Sequence, residues 1–249
     1  MTTTGLHAAV TRAHPYPLVF ATITGSHAFG IASPTSDYDI HGVHLLPLSE
    51  CLGLGTPHET IERKGMYDAE RREIDIATHD LRKFVMLLLK GNGNVLEDLY
   101  SPLVVSSTPV HAELKELGKG CITKMLANHY KGMAFNQQRR MLNNEVKKWL
   151  HTYRCLLMGI HLMRTGVLEM NLPALATEYK QTQVHNLILL KMQGLDFVPD
   201  ADTVHHEVHL ETLRTQLDDA QQQSTLLDKA SEETRKALED LVIRVRLKT

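Results

Sequence analysis

The stretch that decides the fold runs Pro17-Leu-Val-Phe-Ala-Thr-Ile-Thr-Gly25-Ser26 and resumes, ten residues later, as Asp37-Tyr38-Asp39-Ile-His-Gly-Val-His-Leu-Leu46. Its first part is branched and apolar up to Gly25, the pattern of a buried strand that ends in a turn. Residues 27–36 (HAFGIASPTS) carry Gly, Pro and Ser and read as a short helix or turn, then a loop. Residues 37–46 read as a second strand, with Asp37 and Asp39 on one face and Tyr38 and Ile40 on the other.

Working outward, residues 48–70 are punctuated by Gly53, Gly55 and Pro57 and read as loop-rich. Residues 73–77 (EIDIA) alternate strictly, which puts Glu73, Asp75 and Ala77 on one face of a strand. Asp80 is placed to cap a helix over 81–90, and Gly91-Asn92-Gly93 to stop it. From about residue 111 the pattern becomes helical. The strongest case is 140–164, where Leu142, Val146, Trp149, Tyr153, Leu157 and Ile160 recur at spacings of three and four before Thr165-Gly166. From about Asp200 the chain is polar and helix-prone and reads as a solvated helical pair. Strands first and helices later predict an α+β protein, or an α/β one with an α-helical cap, divided into 1–110 and an α-helical 111–249.

Composition sets the outer limits. With 249 residues the chain can bury a sizeable core, and 43% hydrophobic against 22% charged residues is the balance of an ordinary globular protein. A formal net charge of −2 supplies no overall basic surface, so a nucleic-acid partner has to be gripped by a local patch. Cys51, Cys121 and Cys155 lie far apart, which argues against a disulfide framework and suits a cytoplasmic location. No basic start followed by an apolar run marks a signal peptide at 1–18, and no membrane span is expected.

The residue types point to phosphoryl chemistry. Moving a nucleotide from a triphosphate to a hydroxyl requires charge on the phosphoryl oxygens to be offset while nucleophile and leaving group stay in line. Two divalent ions serve both ends of such a displacement, and Mg2+ or Mn2+ prefers clustered carboxylates. Asp37 and Asp39 project from one face and can share both ions, and Asp75 on another strand can close the site and assist deprotonation of the attacking hydroxyl. Gly25-Ser26 would offer free N–H groups of a helix start to the phosphates, with the Ser26 and Ser36 hydroxyls as further donors.

The run GSHAFGIASPTSDYDIHG resembles the polymerase-β superfamily pattern of Gly-Ser, about ten residues, then Asp-x-Asp. More narrowly, the chain is similar to the predicted nucleotidyltransferases of RNA repair pathways. The segments GVHLLPLSECLGL, IDIATHDLRKFVMLLLKGNGNVLEDLYSP, HYKGMA and KKWLHTYRCLLMGIHLMRTG carry the likeness over roughly 20–195. It implies a small mixed sheet with helices as the nucleotidyltransferase core, followed by a helical domain that completes the nucleotide and acceptor cleft. It also implies a nucleoside triphosphate such as ATP as substrate, release of pyrophosphate, and an RNA end as acceptor. His41 and His27 stand where that family often has basic residues, which weakens a phosphate contact when they are neutral.

Taking 140–164 as one helix, Arg140, Lys147, His151 and Arg154 fall opposite the apolar stripe. Over 131–154, Lys131, Arg139, Arg140, Lys147, Lys148 and Arg154 face only Glu145, a local balance of +5. The resemblance gives Lys147, with His151 and Arg154 beside it, the outer phosphates; the plain alternative is a solvated helix face.

Other readings stay open. Glu73 shares a face with Asp75 and competes to be the third acid. His205 and His209, four apart, read as exposed histidines for want of a third ligand. A protein side chain receiving AMP, as in toxin–antitoxin nucleotidyltransferases, competes with RNA as acceptor, as does an aminoglycoside-like small molecule. A non-catalytic nucleotide-binding scaffold competes with the enzyme itself. The pattern leaves base preference and oligomeric state open.

Overall fold

The computed structural model describes residues 3–67, 72–141 and 143–248. By contact the chain divides into two compact units, one of residues 1–28, 35–121 and 229–249 and one of residues 29–34 and 122–228.

The first unit is built on a mixed five-stranded sheet. In chain order it comprises helix α1 (Thr3–Ala13), β1 (Leu18–Ile23), the one-turn α2 (Gly25–Ala28), β2 (Tyr38–His44), α3 (Leu48–Leu52), β3 (Thr60–Tyr67) and β4 (Glu73–Asp80). Then come α4 (Leu81–Leu89), α5 (Gly93–Tyr100), β5 (Val104–Ser107) and α6 (Pro109–Gly118). The strand order is β3-β4-β2-β1-β5, with β2 and β4 parallel and the other pairs antiparallel. Strand alternation sends Ala21, Ile23, Ile40, Ile74 and Ile76 to one face, where Leu6 and Val10 of α1 cover them. Burying each such side chain stabilises by about 1.5–3 kcal/mol. The other face takes α4, α5 and α6: Phe20 meets Phe84 edge-on at 5.5 Å and stacks on His111 at 4.1 Å.

Local chemistry sets the junctions. The Asp80 carboxylate accepts from Arg82 N at 3.0 Å and starts α4, and Gly91 at φ +69° stops the helix. Asn92 then caps α5 through Asn94 N at 2.9 Å. The last helix, α12 (Glu232–Arg246), returns to this unit. Its Arg246 reaches both oxygens of Asp80, at 2.9 and 2.6 Å, and also donates to Leu46 O.

The second unit is helical: α7 (Met125–Arg139), α8 (Val146–Thr165), α9 (Leu172–Glu178), α10 (Thr182–Met192) and α11 (Asp200–Gln223). The α8 helix is buried almost continuously from Trp149 to Met163, with α7, α9, α10 and α11 around it, and Gly166 at φ +72° ends it. The segment 29–34 packs in this unit, with Leu172 N donating to Phe29 O at 3.0 Å and Lys191 Nζ to Ile31 O at 2.7 Å.

The α+β class stands: a mixed sheet with helices, then a helical region. Three local expectations change. Residues 48–70 hold α3 and β3; β3 escaped notice because its Glu-Arg-Lys-Gly centre lies on an exposed edge and lacks alternation. The helix expected over 140–164 begins only at Val146, because Asn143 and Asn144 take φ +53° and +57° and break the run; Leu142 lies outside the described residues. The tail is no solvated pair, since α11 buries Leu210, Leu213 and Leu217 in the helical unit and α12 buries Leu238 and Leu241 in the other. The helical character expected from about residue 111 is met by α6, which packs on β1 and β5 in the first unit. No helix of the described residues is long and apolar enough to cross a membrane.

Candidate active site

Three aspartates converge at one end of the sheet. Asp37 immediately precedes β2, Asp39 is in β2, and Asp75 is its register partner in β4. One oxygen of each lies within 4.8 Å of the others, and all three residues are half-buried. Two backbone groups steady them: Gly65 N–H donates to Asp75 Oδ1 at 2.8 Å, and Thr24 N–H to Asp39 O at 2.8 Å. Glu73 is exposed and outside this group, so of the two acids on that strand face it is Asp75 that the fold brings to Asp37 and Asp39.

The Gly25-Ser26 turn lies directly against the acids. Gly25 takes φ +64°, and a Cβ there would stand 2.0 Å from Asp39 Oδ2, so only glycine lets the turn come this close. The helix it opens is a single turn, too short for a sizeable summed dipole, so an anion here would meet local backbone N–H groups rather than a helix field. Ser26 is buried and Ser36 half-buried.

The two histidines differ in their surroundings. His27 stacks on Tyr38 at 4.1 Å with an interplanar angle of 9°, and the Arg72 guanidinium lies 5.3 Å from the same ring. His41 follows Asp39 on the same strand face, and its Nδ1 is 3.0 Å from Asp98 Oδ1. Burial pushes the His41 pKa down, but the pull of Asp98, Asp39 and Glu97 together outweighs it and the value rises. Asp98 and Gly65 were missed in the sequence: nothing in α5 or in the charged β3 run marks either as a neighbour of these acids.

The basic residues of the second half do not form the single helix face expected over 140–164. Arg140 ends α7 and does not share a helix with the others. Lys147 is exposed on the first turn of α8, His151 half-buried and Arg154 only 3% exposed. The Arg154 guanidinium lies 3.9 Å from the centroid of the Phe29 ring, in the stretch of α8 from Thr152 to Ile160 that is buried throughout. Burial first, then Arg154, Lys147, Lys191 and Lys148, push the His151 pKa down to about 3, so the ring is neutral near pH 7. Lys191 had no sequence signal. Farther along, His205 Nε2 and His209 Nε2 lie 3.1 Å apart with no third ligand among the described residues, and His206 is buried against the Tyr153 hydroxyl at 2.9 Å.

A mixed sheet bearing Gly-Ser against an Asp-x-Asp pair and a third acid, followed by helices, defines a polymerase-β-like α+β protein. Residues 5–244 match the RNA repair pathway DNA polymerase beta family (RlaP), and the chain belongs to that family. It is also 32% identical over 155 residues to the uncharacterized protein MJ0002 of Methanocaldococcus jannaschii, a match covering 59% of this chain and 61% of that protein. It is 25% identical over 210 residues to the uncharacterized protein YcgL of Bacillus subtilis, covering 79% of each.

Proposed function

We propose that this protein is a metal-dependent nucleotidyltransferase that moves a nucleoside monophosphate from a nucleoside triphosphate to the hydroxyl of an RNA end. The observation that carries the reading is the convergence of Asp37, Asp39 and Asp75, with one oxygen of each within 4.8 Å of the others. Three anionic oxygen donors suit Mg2+ or Mn2+ and make a poor set for soft-ligand metals. Bound by these three residues, such an ion offsets the charge on the phosphoryl oxygens.

The chain's own groups divide the remaining work. The N–H groups of the Gly25-Ser26 turn, with the Ser26 and Ser36 hydroxyls, hold triphosphate oxygens. Asp75 takes the proton of the acceptor hydroxyl while its oxygen bonds to the α-phosphorus and the bond to pyrophosphate breaks. Lys147 contributes a positive charge to the outer phosphates; neutral His151 adds none, and Arg154 acts through the Phe29 it packs against.

Incubation with each labelled nucleoside triphosphate, Mg2+ or Mn2+, and RNA, DNA and protein acceptors tests this. Label is expected on RNA and is lost in the Asp37→Ala, Asp39→Ala double variant. Transfer that survives in that variant sinks the mechanism.

A further inference from the structure

The β3 strand is the free edge of the sheet on the side of Asp75. Its register against β4 shifts between Arg63 and Met66, so Lys64 and Gly65 bulge out opposite Asp75. Gly65 takes φ +64° with nothing within 4 Å of where a Cβ would stand, and its N–H holds Asp75 Oδ1. Tyr67 pairs in register with Glu73, on the face that carries Asp75 two residues on. An aromatic ring at such a diagonal position reaches its neighbour. Tyr67 is 65% exposed, the one aromatic among the exposed large hydrophobic side chains of its unit in the described residues. Lys64 leans to the same face, with Nζ 3.9 Å from Glu62 Oε2. That pair is exposed, and such pairs hold their partners weakly, so the ammonium is available to another anion.

We propose that the β3 bulge is the acceptor-binding surface and that the partner it fits is a single-stranded RNA end. Tyr67 stacks on a base near the terminus, Lys64 takes a backbone phosphate, and Gly65 holds Asp75 towards the terminal hydroxyl. The inference rests on the reading of Asp75 as the proton acceptor given above. A free edge can also take up an extended peptide, but strand addition needs a flat row of N–H and C=O groups. The bulge, the glycine and the run Glu62-Arg63-Lys64 break that row and blunt the edge. Stacking plus one cation is the way single strands are held irrespective of base.

The test measures anisotropy of a fluorescein-labelled single-stranded RNA oligonucleotide, and nucleotide transfer to the same RNA, for the full chain and its Tyr67→Ala, Tyr67→Phe and Lys64→Ala variants. Tyr67→Ala is expected to weaken RNA binding about 5- to 100-fold, the range of one lost base–aromatic stack. It raises the KM for RNA and leaves that for the nucleotide unchanged, while Tyr67→Phe behaves as the parent. Lys64→Ala lowers the salt dependence by about 0.7 of a log unit per log unit of salt, as for one phosphate contact on a single strand. If the parent protein labels RNA and Tyr67→Ala binds and uses it equally well, the surface is overturned and the reaction stands. If the parent labels a protein or nothing, and no RNA, both readings fall.

Discussion

Asp39 and Asp75 are register partners across the parallel β2–β4 pair. Adjacent strands lie about 4.8 Å apart, so the two carboxylates, with Asp37 beside them, concentrate negative charge on one face. A divalent ion that binds this group stabilises the folded state by mass action, by about 2.7 kcal/mol at a hundredfold excess over its Kd. For a chain of this length that is a rise of roughly 5–10 °C in Tm. Thermal unfolding with and without Mn2+ checks it: the parent shifts and Asp39→Asn loses most of the shift. An equal shift in the variant would place the ion elsewhere.

Two glycines in the same backbone conformation should answer differently to alanine. Gly25 and Gly65 both take φ +64°, which costs a residue with a Cβ about 1–2 kcal/mol. At Gly65 the added carbon meets nothing, so that strain is the whole expected loss. At Gly25 it falls 2.0 Å from Asp39 Oδ2, so either the turn or the carboxylate must move. Urea unfolding should show a larger loss for Gly25→Ala than for Gly65→Ala, and the Mn2+ shift should shrink for Gly25→Ala.

The same contrast shows how far the sequence could be read. Strand alternation put Asp37 and Asp39 on one face, and the resemblance supplied the spacing from Gly25-Ser26; Asp75 shared its strand face with Glu73, and the local pattern did not separate the two. Asp98 beside His41, Gly65 beside Asp75 and Arg246 on Asp80 depend on tertiary pairing across 57, 10 and 166 residues, which no local period encodes. The burial of Arg154 was not legible for a related reason: its place opposite an apolar stripe carries no information about the helices packed against α8.

Acid should loosen the fold in a defined window. Burial, and the neighbouring His14, push the His44 pKa down to about 4, and its ring contacts the Thr78 hydroxyl at 2.9 Å and His58 O at 3.2 Å. Burial and Lys115 push His111 down to about 4, and His151 lies near 3. A histidine depressed from 6.5 in the folded state takes its proton first in the unfolded chain. Its stabilising contribution is therefore complete above about pH 6.5 and is lost as pH falls towards 4. His41, with a raised value, works in the opposite sense, favouring the fold below about pH 6.5 and losing that contribution as pH rises through its folded pKa. Burial also holds His14, His79, His129, His206 and His209 below the ordinary value, which makes eight histidines against one, so the midpoint of urea unfolding should fall between pH 6.5 and 4, and His44→Gln should flatten the slope.

The Arg246–Asp80 pair should matter more than an ordinary ion pair. Both side chains are buried, and Asp80 also caps α4 and accepts from Leu46 N at 3.2 Å. Removing the arginine leaves a buried carboxylate without its cation, a loss of about 3–5 kcal/mol. Arg246→Ala measured by urea unfolding should show that loss, and combining it with Asp80→Asn should cost less than the two changes summed.

Lys147 and Arg154 lie two helical turns apart on α8, yet substitution should separate them cleanly. Lys147 is exposed, so Lys147→Ala should change stability by less than about 0.5 kcal/mol. If its charge serves the outer phosphates, the nucleotide KM rises sharply in that variant. Arg154 is buried with its guanidinium on the Phe29 ring. Arg154→Lys keeps the charge but loses the planar stack, and lysine is a poor substitute at a stacked site. Arg154→Lys and Phe29→Ala should therefore each lower Tm, with the two effects less than additive because each removes the same contact. A lysine that restored full stability and nucleotide KM would show that charge alone is what position 154 supplies.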